Sequence, residues 1–148
     1  MRKITMKGLI RVSKTIFITS SDKEKLLKMI GLEKEFHVGD KDYLQNLGRE
    51  LEQAVVVQPE EIPGDVITMR SQAVLQDLDN DEQMTWTLVY PAEADLAENK
   101  ISVLAPVGTA MLGYRVGDVV NWEIPSGLIR LQVKEILFQP EASGNFEL

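Results

Sequence analysis

Ile101-Ser102-Val103-Leu104-Ala105-Pro106-Val107-Gly108-Thr109-Ala110-Met111-Leu112-Gly113-Tyr114-Arg115-Val116-Gly117-Asp118 is the stretch on which the fold turns. It opens as a β-branched strand and reaches Pro106, which suits the first turn of a helix because its missing N–H costs nothing there. A short apolar helix is predicted from that point. Gly113 is placed to stop it, since a glycine past the last turn takes a positive φ cheaply. Gly117-Asp118 then turns the chain into another strand. Ala110 and the glycines leave little side chain, so this helix can lie close on a sheet or present a smooth face to another protein.

On either side the pattern is of strands. Val66 to Asp77 alternates well enough for one long strand, Leu78-Asp79-Asn80-Asp81-Glu82 is a turn, and Gln83 to Tyr90 is the return strand. Val119 to Ile124 and Leu128 to Gln139 pair across Pro125-Ser126-Gly127. Pro140 to Leu148 reads as loop, and Val57 to Asp65, with two prolines and a glycine, reads as a boundary.

Before that boundary the period changes to that of helices. Ser21 with Glu24 forms a capping box, followed by Leu26, Leu27, Met29 and Ile30, with an end anywhere from Met29 to Phe36. A second helix runs from about Lys41 to Val55, its Leu44, Leu47, Leu51 and Ala54 recurring at spacings of three and four. Two helices joined by a short link make an antiparallel hairpin. An arm of about 14 residues is roughly 21 Å long. Thr15 to Thr19 is β-like. Met1 to Phe17 is a basic extension, or it adds a strand through Leu9 to Val12. The expected organisation is α+β: extension 1–18, short coiled-coil hairpin 19–57, sheet domain with one short helix 58–148.

Charge is uneven over the 148 residues. Residues 1–56 hold 11 Lys/Arg against 8 Asp/Glu, net +3, while residues 57–148 hold 5 against 15, net −10. So acidic a body is a poor ligand for duplex nucleic acid, and it suits a basic protein surface. The same charge also serves solubility. There is no cysteine, which excludes disulfides and thiolate catalysis and fits a reducing, cytoplasmic setting. No apolar run approaches a bilayer span, and the scattered basic residues of the N-terminus interrupt any signal-peptide core. No membrane partner is expected.

Ile62-Pro63-Gly64-Asp65-Val66-Ile67-Thr68-Met69-Arg70-Ser71, Thr87 to Pro91, Ile101 to Gly113, Val116-Gly117-Asp118 and Phe138 to Ala142, in that order, resemble the regulator-of-nucleoside-diphosphate-kinase (Rnk) family, short-armed relatives of the bacterial Gre transcript-cleavage factors. The resemblance is close from about Pro59 to Leu148 and loose over residues 17–56. It implies an N-terminal coiled-coil hairpin and a C-terminal FKBP-like antiparallel β-sheet domain. It also implies a monomer that docks at the secondary channel of core RNA polymerase, gripping the rim with the globular domain and pointing the hairpin inward. Ala105, Pro106, Val107, Gly108 and Leu112 match the region by which Gre-type domains engage a polymerase coiled coil. Leu104 and Ala105 stand where Gre factors carry polar residues, so the contact is expected to be more apolar or shifted. The same residues equally serve to pack helix on sheet.

Gre factors use two acidic tip residues to help hold Mg²⁺ in the polymerase, and carboxylates suit that ion. Here Asp40 and Asp42 sit at the expected tip, where they also read as helix caps. The short arm implies a tip that stops before the polymerase metal. The expectation is therefore a non-enzymatic regulator that competes with Gre-type factors without cleaving RNA, with no catalytic residue, metal or cofactor of its own. No direct DNA contact is expected outside the polymerase complex. The alternative is an FKBP-like peptide-binding module or prolyl isomerase. His37 has no nucleophile at a useful spacing and reads as a loop residue. Trp86, Tyr90, Trp122 and Phe138 read as core.

Overall fold

A computed structural model describes residues 3–6, 9–12, 16–36 and 42–145; for 3–6, 9–12, 34–36, 42, 43 and 122–124 the description is of the backbone. The chain is α+β. The elements in order are β1 (Lys3–Met6), β2 (Leu9–Val12), β3 (Phe17–Thr19), α1 (Ser20–Phe36), α2 (Asp42–Gln53), β4 (Val55–Val57), β5 (Gln72–Asp77), β6 (Gln83–Val89), β7 (Lys100–Ser102), α3 (Pro106–Met111), β8 (Val119–Ile124) and β9 (Gly127–Phe138). Among the described residues no helix is long and apolar enough to cross a membrane.

Five strands from the second half form one sheet in the order β8-β9-β5-β6-β7, and β2 and β1 extend it at the β8 edge to seven. All its pairs are antiparallel except β6 with β7. The segment read as a basic extension therefore carries a two-strand hairpin, and the alternative strand through Leu9 to Val12 is the one that forms. The β5–β6 turn closes through its own side chains: Asp77 Oδ1 accepts the N–H of Asp79 at 2.9 Å, and Asn80 Oδ1 accepts that of Glu82 at 2.9 Å. β8 and β9 join across Pro125-Ser126, with Ile124 opposite Gly127.

The long strand expected from Val66 is cut to half its length. Ser71 N–H donates to the Thr68 carbonyl at 3.0 Å, the Ser71 hydroxyl accepts from Thr68 N–H at 2.9 Å, and Arg70 takes a left-handed φ of 64°. These bonds close a turn where apolar alternation had suggested a strand.

The helices differ from expectation at their ends. α1 begins after Thr19, whose Oγ1 accepts the Asp22 N–H at 3.0 Å, so the cap lies two residues before the expected Ser21. α2 stops at Gln53, and Val55–Val57 pairs in parallel with Phe17–Thr19, in register Phe17 with Val55 and Thr19 with Val57. The two strands thus join the start of α1 to the end of α2. Leu26 and Ile30 of α1 and Leu44, Leu47 and Leu51 of α2 are buried in the same cluster as Val107, Ala110, Met111 and Leu112 around α3, and as Ala73, Leu75, Leu131 and Val133 of the sheet. One core runs from the helix pair into the body.

Candidate functional site

The first candidate site is the shoulder formed by β7, the loop after it and α3. The Ser102 hydroxyl accepts the Leu104 N–H at 3.0 Å, and the Ser102 carbonyl accepts the Ala105 N–H at 3.0 Å. The loop so fixed delivers Pro106 into the first turn of α3. Gly108 then lies directly on β7: a Cβ there would stand 2.0 Å from the Ser102 carbonyl oxygen. At the other end Gly113 has φ +80°, and a Cβ on it would meet Ile16 Cβ at 2.7 Å. The short helix is therefore pinned between β7 and the strand that leads into α1.

Of the five residues expected to grip a partner, the structure exposes one. Pro106 is exposed and Ala105 half-buried; Val107, Gly108 and Leu112 are buried. The packing role holds for the last three. Val107 has a second side, however. With Met84, Trp86, Ile101, Ile129 and Leu131 it lines a hollow of about 260 Å³ between the sheet and α3, with Asp77 at its lip. Asp79, paired with Arg130 at 2.8 Å, stands in the turn just past that lip. The chemistry available is an apolar seat with an acidic margin.

The second candidate lies where α1 meets the body. Asp22 is 2% exposed, and its Oδ2 accepts the Met69 N–H at 3.1 Å. Burial raises its carboxyl to about 7; the bond from Met69 opposes the rise and Glu141 adds to it. Glu141 Oε1 in turn accepts from the Thr68 hydroxyl at 2.7 Å. Arg70 holds Glu93 with two bonds, 3.1 Å from Nε and 2.8 Å from Nη2, and lies 5.4 Å from the centre of the Tyr90 ring. Tyr90 Oη is buried without a hydrogen bond among the described residues, and burial raises the phenol. Sequence reading gave none of these groups a joint role. Residues 22, 68–71, 90 and 141 come together only through tertiary packing, and the one local signal was the Thr68-Met69-Arg70-Ser71 motif.

At the helix tip, Asp42 is the first residue of α2, while Asp40 and His37 lie outside the described residues. Among the described residues no three His, Cys, Asp or Glu side chains are grouped to hold a metal ion. Of the aromatics read as core, Trp86 and Tyr90 are half-buried and Phe138 is exposed. The side chain of Trp122 lies outside the description.

The description "Transcription elongation factor, GreA/GreB, C-term" matches residues 62–138. A regulator of nucleoside diphosphate kinase from Escherichia coli (strain K12) is 42% identical over 135 residues, which is 90% of this chain and 97% of that protein. The chain belongs to the regulator of nucleoside diphosphate kinase family. Transcription elongation factor GreA from Clostridium botulinum (strain Eklund 17B / Type B) is 39% identical, over 61% of this chain and 56% of its own length. Among solved structures, a prokaryotic transcription elongation factor GreA/GreB from Nitrosomonas europaea superposes with a TM-score of 0.69 at 37% identity, covering 85% of this chain and all of that one. The regulator of nucleoside diphosphate kinase relative spans both helices and body, whereas the GreA match is confined to a part of each chain.

Proposed function

We propose that this protein is a non-enzymatic transcription regulator that docks at the secondary channel of bacterial RNA polymerase. In this reading its sheet domain, of the FKBP-like kind, grips the channel rim, and its helix pair, a short antiparallel coiled-coil hairpin, enters the pore. The observation that carries the reading is the shoulder. Pro106 is exposed next in sequence to Val107, which lines an apolar hollow that Asp77 also borders, in a chain 37% identical over 85% of its length to a solved GreA/GreB factor and 39% identical over 90 residues to a GreA. Such a seat fits an apolar side chain offered by a helix with basic flanks.

Reach supports obstruction without cleavage. The 17 residues of α1 and 12 of α2 give rods of roughly 25 and 18 Å. Part of that length is spent against the body, because Leu26, Ile30, Leu47 and Leu51 are buried in the common core. In this reading the tip that carries Asp40 and Asp42 stops short of the polymerase metal. The decisive experiment is capture of core RNA polymerase by the purified protein and its displacement by GreA. Binding that GreA does not displace, or robust cleavage in a backtracked complex that Asp42→Ala abolishes, overturns this reading.

The same hollow favours a second reading, an FKBP-like peptide-binding module or prolyl isomerase, because Trp86 lines an apolar seat on the sheet. A prolyl-isomerase assay on the free protein separates the two. Turnover lost on filling the hollow by Val107→Phe supports the second reading, and silence with intact polymerase binding supports the first.

A further inference from the structure

Cations are scarce in the second half of the chain: Arg70, Lys100, Arg115, Arg130 and Lys134 are all that residues 57–148 contain. One of these five, Arg70, stands at the seam between α1 and the body. There an open hollow of about 370 Å³ is lined by Lys25, Lys28, Met29, Leu32, Arg70 and Tyr90. Lys25 and Lys28 are three residues apart on α1, hence on one face of the helix. Both are exposed, and Lys28 makes no ion pair among the described residues.

Arg70 also borders a second hollow, of about 340 Å³, on the outer face of the sheet. Its floor is a row across four strands, Lys100, Thr87, Gln72 and Phe138, which are successive register partners. Four cations therefore border two hollows that share Arg70: two from α1, Arg70 itself at a left-handed backbone position, and Lys100 from the sheet. Between them lie apolar and aromatic surfaces, namely Met29, Leu32 and Tyr90 on one side of Arg70 and Phe138 on the other. The size is within the range of small-molecule sites.

Three acids stand near these hollows. Glu93 is held by Arg70 through two bonds. Glu141 accepts the Thr68 hydroxyl. Asp22 is buried at the foot of α1, and burial leaves much of it uncharged near neutrality. With Arg70 and Glu93 paired, the exposed Lys25 and Lys28 supply the positive charge, and beside the planar Tyr90 they favour an anion of more than one charge attached to an apolar or planar body.

We infer that the seam between α1 and the body binds a nucleoside di- or triphosphate, the phosphates on Lys25, Lys28 and Arg70 and the base against Tyr90, Met29 and Leu32. The ligand would touch the helix arm and the body at once. Its binding would therefore stabilise the docked position of the arm by the difference in affinity between docked and undocked states. This inference is independent of the polymerase reading and is tested without polymerase.

Isothermal titration calorimetry of the full chain with ATP, tripolyphosphate, adenosine and a short oligoribonucleotide reads it out. The expected result is binding of ATP, with both tripolyphosphate and adenosine weaker. The double variant Lys25→Gln/Lys28→Gln should bind ATP about tenfold more weakly, the loss expected for charge-assisted contacts. Lys134→Gln, on exposed β9, should leave the affinity unchanged. An unaltered melting temperature shows that the double variant is folded. Absence of heat with millimolar ATP overturns the inference, as does equal affinity in the double variant. Tripolyphosphate binding as tightly as ATP removes the role of the apolar wall and overturns the nucleotide assignment. An oligoribonucleotide that binds more tightly than ATP, and is lost in the same variant, reassigns the groove to a polymer.

Discussion

Gly108 has no room for a methyl group, and that single fact fixes how α3 lies. The atom in the way is a backbone carbonyl oxygen, which cannot rotate aside as a side chain would. Gly108→Ala should therefore destabilise the protein by about 1–3 kcal/mol, the cost of overpacking a tight site, read as a lower urea midpoint. Asp22 makes the opposite kind of prediction. Its carboxyl is raised from 3.8 to about 7 by burial, so the folded chain holds a proton that the unfolded chain has released. As pH rises from about 4 to 7, the unfolded state loses its proton first and stability falls; above about 7 the penalty is constant. Asp22→Asn keeps an oxygen to accept the Met69 N–H and removes the titration. The variant should match the wild type near pH 4 and exceed it by about 2–4 kcal/mol above pH 7. Urea titrations at several pH values measure this directly, and a wild-type stability that rises between pH 4 and 7 without an Asp22 dependence contradicts it.

At the scale of elements, the leucine seam of α2 is the clearest case. Leu44, Leu47 and Leu51 have no exposed surface at all. Leu47→Ala should cost about 2–5 kcal/mol, measured by chemical denaturation. That seam was legible in the sequence because a spacing of three and four is a local signal. So were the proline start and glycine stop of α3 and the Pro125-Ser126 hairpin, where dihedral preferences act on one or two residues. Pairing between distant segments was not legible. Val55-Val56-Val57 continued the helix or began a linker until Phe17–Thr19, almost forty residues earlier, proved to be its partner. Val66 to Ser71 alternated like a strand, and the Ser71 hydroxyl, which takes the Thr68 N–H that a ladder would use, closed a turn instead. Pro106 was a candidate contact only through the family resemblance. The hollow that Val107 lines could not be read from sequence, since Met84, Trp86, Ile101, Ile129 and Leu131 come from three strands.

For the whole molecule the shared core has a measurable consequence. Leu47 and Leu51 belong to the same buried cluster as Met111 and Leu112, so helix pair and body cannot melt independently without exposing that cluster. Far-ultraviolet circular dichroism, dominated by the helices, and tryptophan fluorescence from the body should report one coincident transition. An early loss of helix would show two separate units. The surface makes a matching statement. With a body of net −10, association with a basic partner should weaken as salt rises, whereas the apolar seat at Val107 should be less affected. Pro106→Glu, at the exposed residue before Val107, should lower affinity for core polymerase by at least about tenfold without changing the melting temperature, a result checked by competition against GreA.

The parallel pair β3–β4 sets the two feet of the helix segment side by side, beside Gly113. Both chain crossings between body and arm therefore occur at one spot, like the two pins of a plug. Turns of helix could be added in matched pairs beyond Ile30 and Leu44 while the socket stayed as it is. If the proposed docking holds, a lineage built on this arrangement can retune how far its helix pair extends by insertion alone.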